Sequence, residues 1–127
     1  MKHIPNILVV DDDQEIGQML KIMLEHKGFT VIISDRAEKI PGILSNNNVD
    51  MIILDMLIAG VKGNEVCTHL KMDAATAHYP IMMMTALPDA EKICRDAGAD
   101  EFIAKPFEMK QIISKIRSLT NYQTTSS

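Results

Sequence analysis

Ile7-Leu8-Val9-Val10-Asp11-Asp12-Asp13 is the stretch that decides the fold, because four apolar residues in a row end abruptly in three carboxylates. A strand with one wet face alternates apolar and polar residues. A run that is apolar at every position suits a strand covered on both faces, as in a parallel sheet. Directly after it, Ile16, Leu20, Met23 and Leu24 recur at helical spacing and share one helix face. Asp13 is placed to cap the first turn of that helix, and Gly28 follows its end as a C-terminal cap residue would. A doubly covered strand followed by an amphipathic helix is the start of a strand–helix–strand unit.

The pairing repeats along the chain. Val31–Ile33 reads as a second strand, and residues 37–45 as the helix after it, delayed or kinked by Pro41–Gly42. Asn46–Asn48 makes a polar turn before a third strand, Asp50–Leu54. A glycine-rich loop (Gly60, Gly63) leads to a short helix over Asn64–Lys71, with Val66 and Leu70 four apart. Ile81–Thr85 is the fourth strand. Pro88 is a place for the next helix to begin, with Ile93 and Ala97 on its inner face and Gly98 at its end. Phe102–Ala104 makes a short fifth strand, and Met109, Ile112, Ile113 and Ile116 mark the last helix. Five such strands alternating with helices predict an α/β fold, a doubly wound five-stranded parallel sheet with helices on both faces. Loops beyond the strand C-termini form the crevice of such a sheet, where the strand order reverses.

The bulk properties narrow the function. The 127 residues suit one domain over residues 1–120 with a polar tail over 121–127, without a repeat or a linker to a second domain. A net charge of −4 at neutral pH argues against direct contact with nucleic acid or an anionic membrane. The apolar runs are far too short to span a bilayer, and the N-terminus carries no secretory signal, which predicts a cytoplasmic protein. Cys67 and Cys94 have no ligand spacing and read as reduced thiols on helices; the ten methionines, Met82–Met84 among them, read as core filler.

Four of the five predicted strands end in groups that a core rejects: Asp11–Asp13, Asp55, Thr85 and Lys105 before Pro106. Singly, an aspartate here is a helix cap, a threonine a strand residue and a lysine a solvated cation; together they mark a site. Carboxylates gathered at one rim repel, by on the order of 4 kcal/mol for two unit charges about 4 Å apart at an effective dielectric near 20. Lys105 offsets one of the three charges of Asp11, Asp12 and Asp55. A divalent cation balances the remainder, and an all-oxygen, partly open site suits Mg2+ or Mn2+ better than zinc. Such an arrangement is equipped to position a phosphoryl group.

At this point the sequence resembles the receiver domains of two-component systems, the flavodoxin-like family that includes the chemotaxis response regulator. The resemblance rests on Ile7 through Asp13, Ile53-Leu54-Asp55-Met56 with Gly63 downstream, Met84-Thr85-Ala86, and Gly98-Ala99-Asp100 through Lys105-Pro106-Phe107. It covers nearly the whole chain and implies strand order 2-1-3-4-5. It implies that Asp55 accepts a phosphoryl group from a phosphohistidine on a sensor histidine kinase or histidine phosphotransfer protein. Asp12 and Asp55 would ligate Mg2+, with Asp11 acting mainly through water and the Leu57 backbone carbonyl completing the set. Thr85 would move to bond the phosphoryl group, Lys105 would pair with it across a cis Lys–Pro bond, and Phe102 would turn inward as the switch. The product is a signalling switch read by a downstream protein, not a turnover enzyme.

Three departures stand out. Ala59 replaces the family's usual proline, which predicts a looser loop. Lys62 stands where an acidic or small residue is common, and the segment from Thr85 to Gly98 is short, which bears on the fourth helix and its docking face. Leu57 and Leu87 both flank the acceptor; they are either ordinary surface leucines of a loop or two apolar side chains that hinder the water that hydrolyses an aspartyl phosphate. An aspartyl phosphatase would need an acid/base partner where Leu57 stands. A flavin carrier would need a hydroxyl-rich phosphate loop where Asp11–Asp13 stand. A degenerate, unphosphorylated receiver would not be expected to keep Asp12, Asp55, Thr85 and Lys105 together.

Overall fold

The structure, a computed structural model, describes residues 3–122, so most of the expected polar tail lies outside the described residues. Five strands, β1 (Asn6–Val10), β2 (Thr30–Ser34), β3 (Met51–Asp55), β4 (Ile81–Thr85) and β5 (Glu101–Ala104), form one parallel sheet in the order β2-β1-β3-β4-β5. The fold class and strand order are those expected. Ile7–Val10 of β1, Met51–Leu54 of β3 and the whole of β4 are buried, which is why these runs show no alternation.

Successive residues of each strand serve opposite faces. Leu8, Val10, Ile52, Leu54, Ile81 and Met83 pack against helices α2 (Ile40–Asn46), α3 (Gly63–Met72) and α4 (Glu91–Asp96) through Leu44, Cys67, Leu70 and Cys94. Ile7, Val9, Met51, Ile53, Met82 and Met84 pack against α1 (Gln14–His26) and α5 (Met109–Thr120) through Leu20, Leu24, Ile112, Ile113 and Ile116. Full burial of each such side chain contributes about 1.5–3 kcal/mol. The three consecutive methionines are therefore core residues of two different layers. Cys67 and Cys94 are free thiols, and burial pushes the Cys67 thiol up to about 11.

The helix ends follow local chemistry. Asp13 caps α1, its side chain accepting from the N–H groups of Glu15 and Ile16 at 3.0 and 3.3 Å. Pro41 does delay its helix: residues Ala37–Lys39 form a 3-10 turn, and α2 starts at Ile40 with the proline in its first turn. Two expectations need correction. Pro88 does not begin the fourth helix, because Asp89 adopts a left-handed φ of 58° and α4 starts only at Glu91. Its inner face is made by the small residues Ala90, Cys94 and Ala97, whereas Ile93 is 45% exposed. At the C-terminal end of the described chain, the Tyr122 ring stands edge-on to Phe29, with centroids 5.6 Å apart.

The glycine-rich loop carries a regular element that its sequence does not announce. Leu57–Ile58 and Val61–Lys62 pair as a small antiparallel hairpin. Ala59 and Gly60, at φ 49° and 83°, form its two-residue turn. Successive positive φ values are what a type I′ hairpin turn requires, and a proline at position 59 could not adopt one.

Candidate functional site

β1 and β3 are neighbours at the point where the strand order reverses; β1 runs directly into Asp11 and Asp12, and β3 ends in Asp55. Oxygens of Asp11, Asp12 and Asp55 come within 4.8 Å of one another. The fold thus brings together the three carboxylates singled out in the sequence. Lys105, just beyond β5, reaches in from the other side, with Nζ 2.9 Å from Asp55 Oδ1 and 3.4 Å from Asp11 Oδ2. Its backbone N–H donates to the Thr85 carbonyl at 2.7 Å, tying the β5 end to the β4 end. The Lys105–Pro106 bond is cis, as the resemblance implies.

Each group has a distinct environment. Asp11 is buried, and burial holds its carboxyl above the usual range, aided by the Asp55 charge and opposed by the Asp13 N–H and by Lys105. Asp12 is exposed, and its Oδ2 accepts the Ala59 N–H at 2.9 Å. Burial pulls the Lys105 ammonium down, but Asp55 and Asp11 more than reverse this and hold it above the ordinary lysine value. Two acids are therefore bridged by one base, and the site carries an excess of negative charge. Among the described residues no group donates to Asp12 Oδ1 or Asp55 Oδ2. An all-carboxylate donor set with open oxygens and surplus charge fits Mg2+.

The Leu57 carbonyl is available as well. Gly63 N donates to Met56 O at 2.7 Å, so the next pair inward, Leu57 with Lys62, is a non-hydrogen-bonded pair of the ladder. The carbonyl at such a position points away from the partner arm. Thr85 is buried, with its hydroxyl accepting the Leu87 N–H at 3.0 Å. Asp55, Thr85 and Lys105 line one cavity of about 450 Å3 with Leu57, Leu87 and Ile93. Leu57 is 60% and Leu87 57% exposed at its rim. Phe102 lies apart from the cluster, half-buried on β5, with the Arg95 guanidinium 5.8 Å and the Lys115 ammonium 5.9 Å from its ring centroid.

Sequence reasoning missed two participants. Ile93 was assigned to the core, since an isoleucine in a helix is ordinarily an inward residue. The Ala59 N–H left no trace at all, because a backbone donor carries no residue-type signal.

The chain belongs to the response regulator receiver domain family, whose model matches residues 7–117. It is thus a receiver domain of the two-component type. It is 33% identical over 117 residues to the DNA-binding dual master transcriptional regulator RpaA of a Synechocystis strain, a match covering 91% of this chain and 48% of that protein. The chain spans about half the length of the curated relatives it matches. Among solved structures, a response regulator of Chloroflexus aurantiacus superposes with TM-score 0.88 at 29% identity, covering 94% of this chain and 100% of that one. The response regulator TrrA of Thermotoga maritima, solved in complex with Mg2+-BeF, gives TM-score 0.81 at 27% identity, covering 91% and 99%. No helix among the described residues is long and apolar enough to cross a membrane.

Proposed function

We propose that this chain is cytoplasmic and that Asp55 is the phosphoacceptor of a two-component relay, taking a phosphoryl group from a phosphohistidine on a sensor histidine kinase or histidine phosphotransfer protein. The observation that carries this reading is the meeting of Asp11, Asp12 and Asp55 within 4.8 Å, with Lys105 2.9 Å from Asp55. A carboxylate oxygen of Asp55 attacks phosphorus as the phosphorus–nitrogen bond to the donor imidazole breaks. Mg2+, held by Asp12, Asp55 and the Leu57 carbonyl with Asp11 acting through water, would supply charge neutralisation for the transferring group. Lys105 then exchanges its contact with the acceptor carboxylate for one with a phosphoryl oxygen. The Thr85 hydroxyl donates to another.

The movement of Thr85 frees space that the Phe102 ring follows inward. Both changes favour one of two states, and the phosphoryl group shifts their balance only by binding one better. The face built by α4, β5 and α5 presents the result to a downstream protein. The name of RpaA describes a DNA-binding regulator, but the net charge of −4 on this chain favours a protein partner for the receiver unit itself. The unit undergoes phosphorylation and slow self-hydrolysis and does not turn over a substrate.

The test is incubation with acetyl phosphate and Mg2+. The expected product is a base-labile, acid-stable adduct of one phosphoryl group, absent after chelation and in Asp55→Ala. Wild-type protein that stays unmodified with several phosphodonors would overturn the assignment.

A further inference from the structure

We propose that the Ala59 backbone N–H is a positioning group for the divalent ion, holding the Asp12 carboxylate by Oδ2 so that Oδ1 faces the site. The inference rests on the metal role given to Asp12 above. It follows from how differently the three carboxylates are anchored. Asp11 is held by the Asp13 N–H at 2.9 Å and by Lys105 at 3.4 Å, and Asp55 by Lys105 at 2.9 Å. Asp12 is exposed, and among the described residues its one tether is the Ala59 N–H at 2.9 Å. Without that tether an exposed aspartate samples several rotamers, and the ion would have to order it on binding.

The hairpin makes the donor available. In a two-residue type I′ turn the closing bonds join the residues on either side, here Ile58 and Val61, so the first central N–H is left for another acceptor. Ala59 supplies that N–H from a left-handed φ of 49°, a conformation an L-alanine adopts only against a steric cost. A proline at this position could provide neither the donor nor the dihedral. The Ala59 N–H thus orients a ligand, acting one bond removed from the ion as hydrogen-bond partners of metal ligands do.

The experiment measures Mg2+ affinity of the full chain by isothermal titration calorimetry, alongside the melting temperature of the metal-free protein. Ala59→Gly keeps the N–H and should bind Mg2+ within twofold of wild type. Ala59→Pro should bind about three- to tenfold more weakly. Because proline also disturbs the turn, a second variant replaces the Ala59 N–H by an ester oxygen through lactate incorporation, which removes the donor, keeps the methyl side chain and weakens only the Ile58 carbonyl as an acceptor. It should show the same weakening with a melting temperature close to that of wild type. An ester variant that binds Mg2+ as tightly as wild type would refute the positioning role. Wild-type protein with no saturable Mg2+ binding would instead bring down the metal site itself, and this inference with it.

Discussion

Gly63 opens α3 directly behind the acceptor strand, and replacing it by alanine tests how rigidly that strand end is built. A Cβ there would lie 2.9 Å from Met56 Cα and 3.0 Å from the Asp55 carbonyl carbon, with the Asp55 oxygen closer still. Ordinary carbon–carbon contact needs roughly 3.5 Å and carbon–oxygen contact only slightly less, so the oxygen sets the movement and the strand end and helix start must part by about an ångström or more. Flexible side chains could absorb that; here the obstacles are all backbone. They are also pinned, because Met56 N donates to Met84 O at 2.9 Å and Gly63 N to Met56 O at 2.7 Å. Overpacking ordinarily costs about 1–3 kcal/mol, and a site that cannot yield belongs at the top of that range, about 3 kcal/mol. With an unfolding entropy of roughly 2.1 cal/mol/K per residue over the 127-residue chain, the melting temperature should fall by about 11 °C. Urea unfolding of metal-free protein measures the stability loss. Amide spectra should show the perturbation concentrated in residues 55–64, and phosphorylation by acetyl phosphate should slow in parallel. A variant within 0.5 kcal/mol of wild type and phosphorylated at the wild-type rate would refute the claim that this junction is rigid.

Other perturbations probe other parts of the molecule. Leu57→Asn and Leu87→Glu replace the two exposed leucines at the cavity rim, and each should change the dephosphorylation half-life several-fold; unchanged half-lives in both would remove the water-exclusion idea. Glu101 is pushed up by burial, but the Phe102 N–H, Lys115 and Arg95 outweigh this and lower its pKa below the ordinary glutamate value. Its stabilisation is therefore complete above the unfolded pKa and is lost as pH falls through the folded one. Glu101→Gln should cost about 1 kcal/mol at pH 7 and nothing once the pH has fallen through the folded-state pKa, as measured by denaturant titration across pH. Cys67, raised to about 11 and shielded with Cys94, should not react with a thiol reagent at pH 7 until the protein unfolds; prompt labelling of native protein would contradict the packing.

The parts of the fold that were legible in the sequence are those where a residue's chemistry and its burial agree. β1, β3 and β4 are apolar at nearly every position because helices cover both sides, and the aspartates, threonine and lysine stand out because they interrupt that rule. The Asp13 cap and the Pro41 delay were equally readable, since each follows from one side chain acting on its own backbone. α4 misled for the opposite reason. Its packed face uses Ala90, Cys94 and Ala97, which carry little hydrophobic signal, while its most apolar residue, Ile93, looks outward onto the cavity. The hairpin of Leu57–Lys62 was invisible because its arms have two residues each and its turn lacks the asparagine–glycine pair that announces such turns. What it contributes to the site is a main-chain hydrogen, which no list of side chains contains.

A sheet one layer thick, with separate packed layers on its two sides, has an evolutionary corollary. Met82 and Met83 are adjacent in the chain yet answer to different sets of neighbours, one beneath α1 and α5 and the other beneath α3 and α4. Replacements on opposite sides share no partners, so their effects should sum. A lineage can accordingly remodel one side to suit a new listener while the other drifts on its own schedule, and only the strand tips, where both sides converge on the same four charged groups, must change together or not at all.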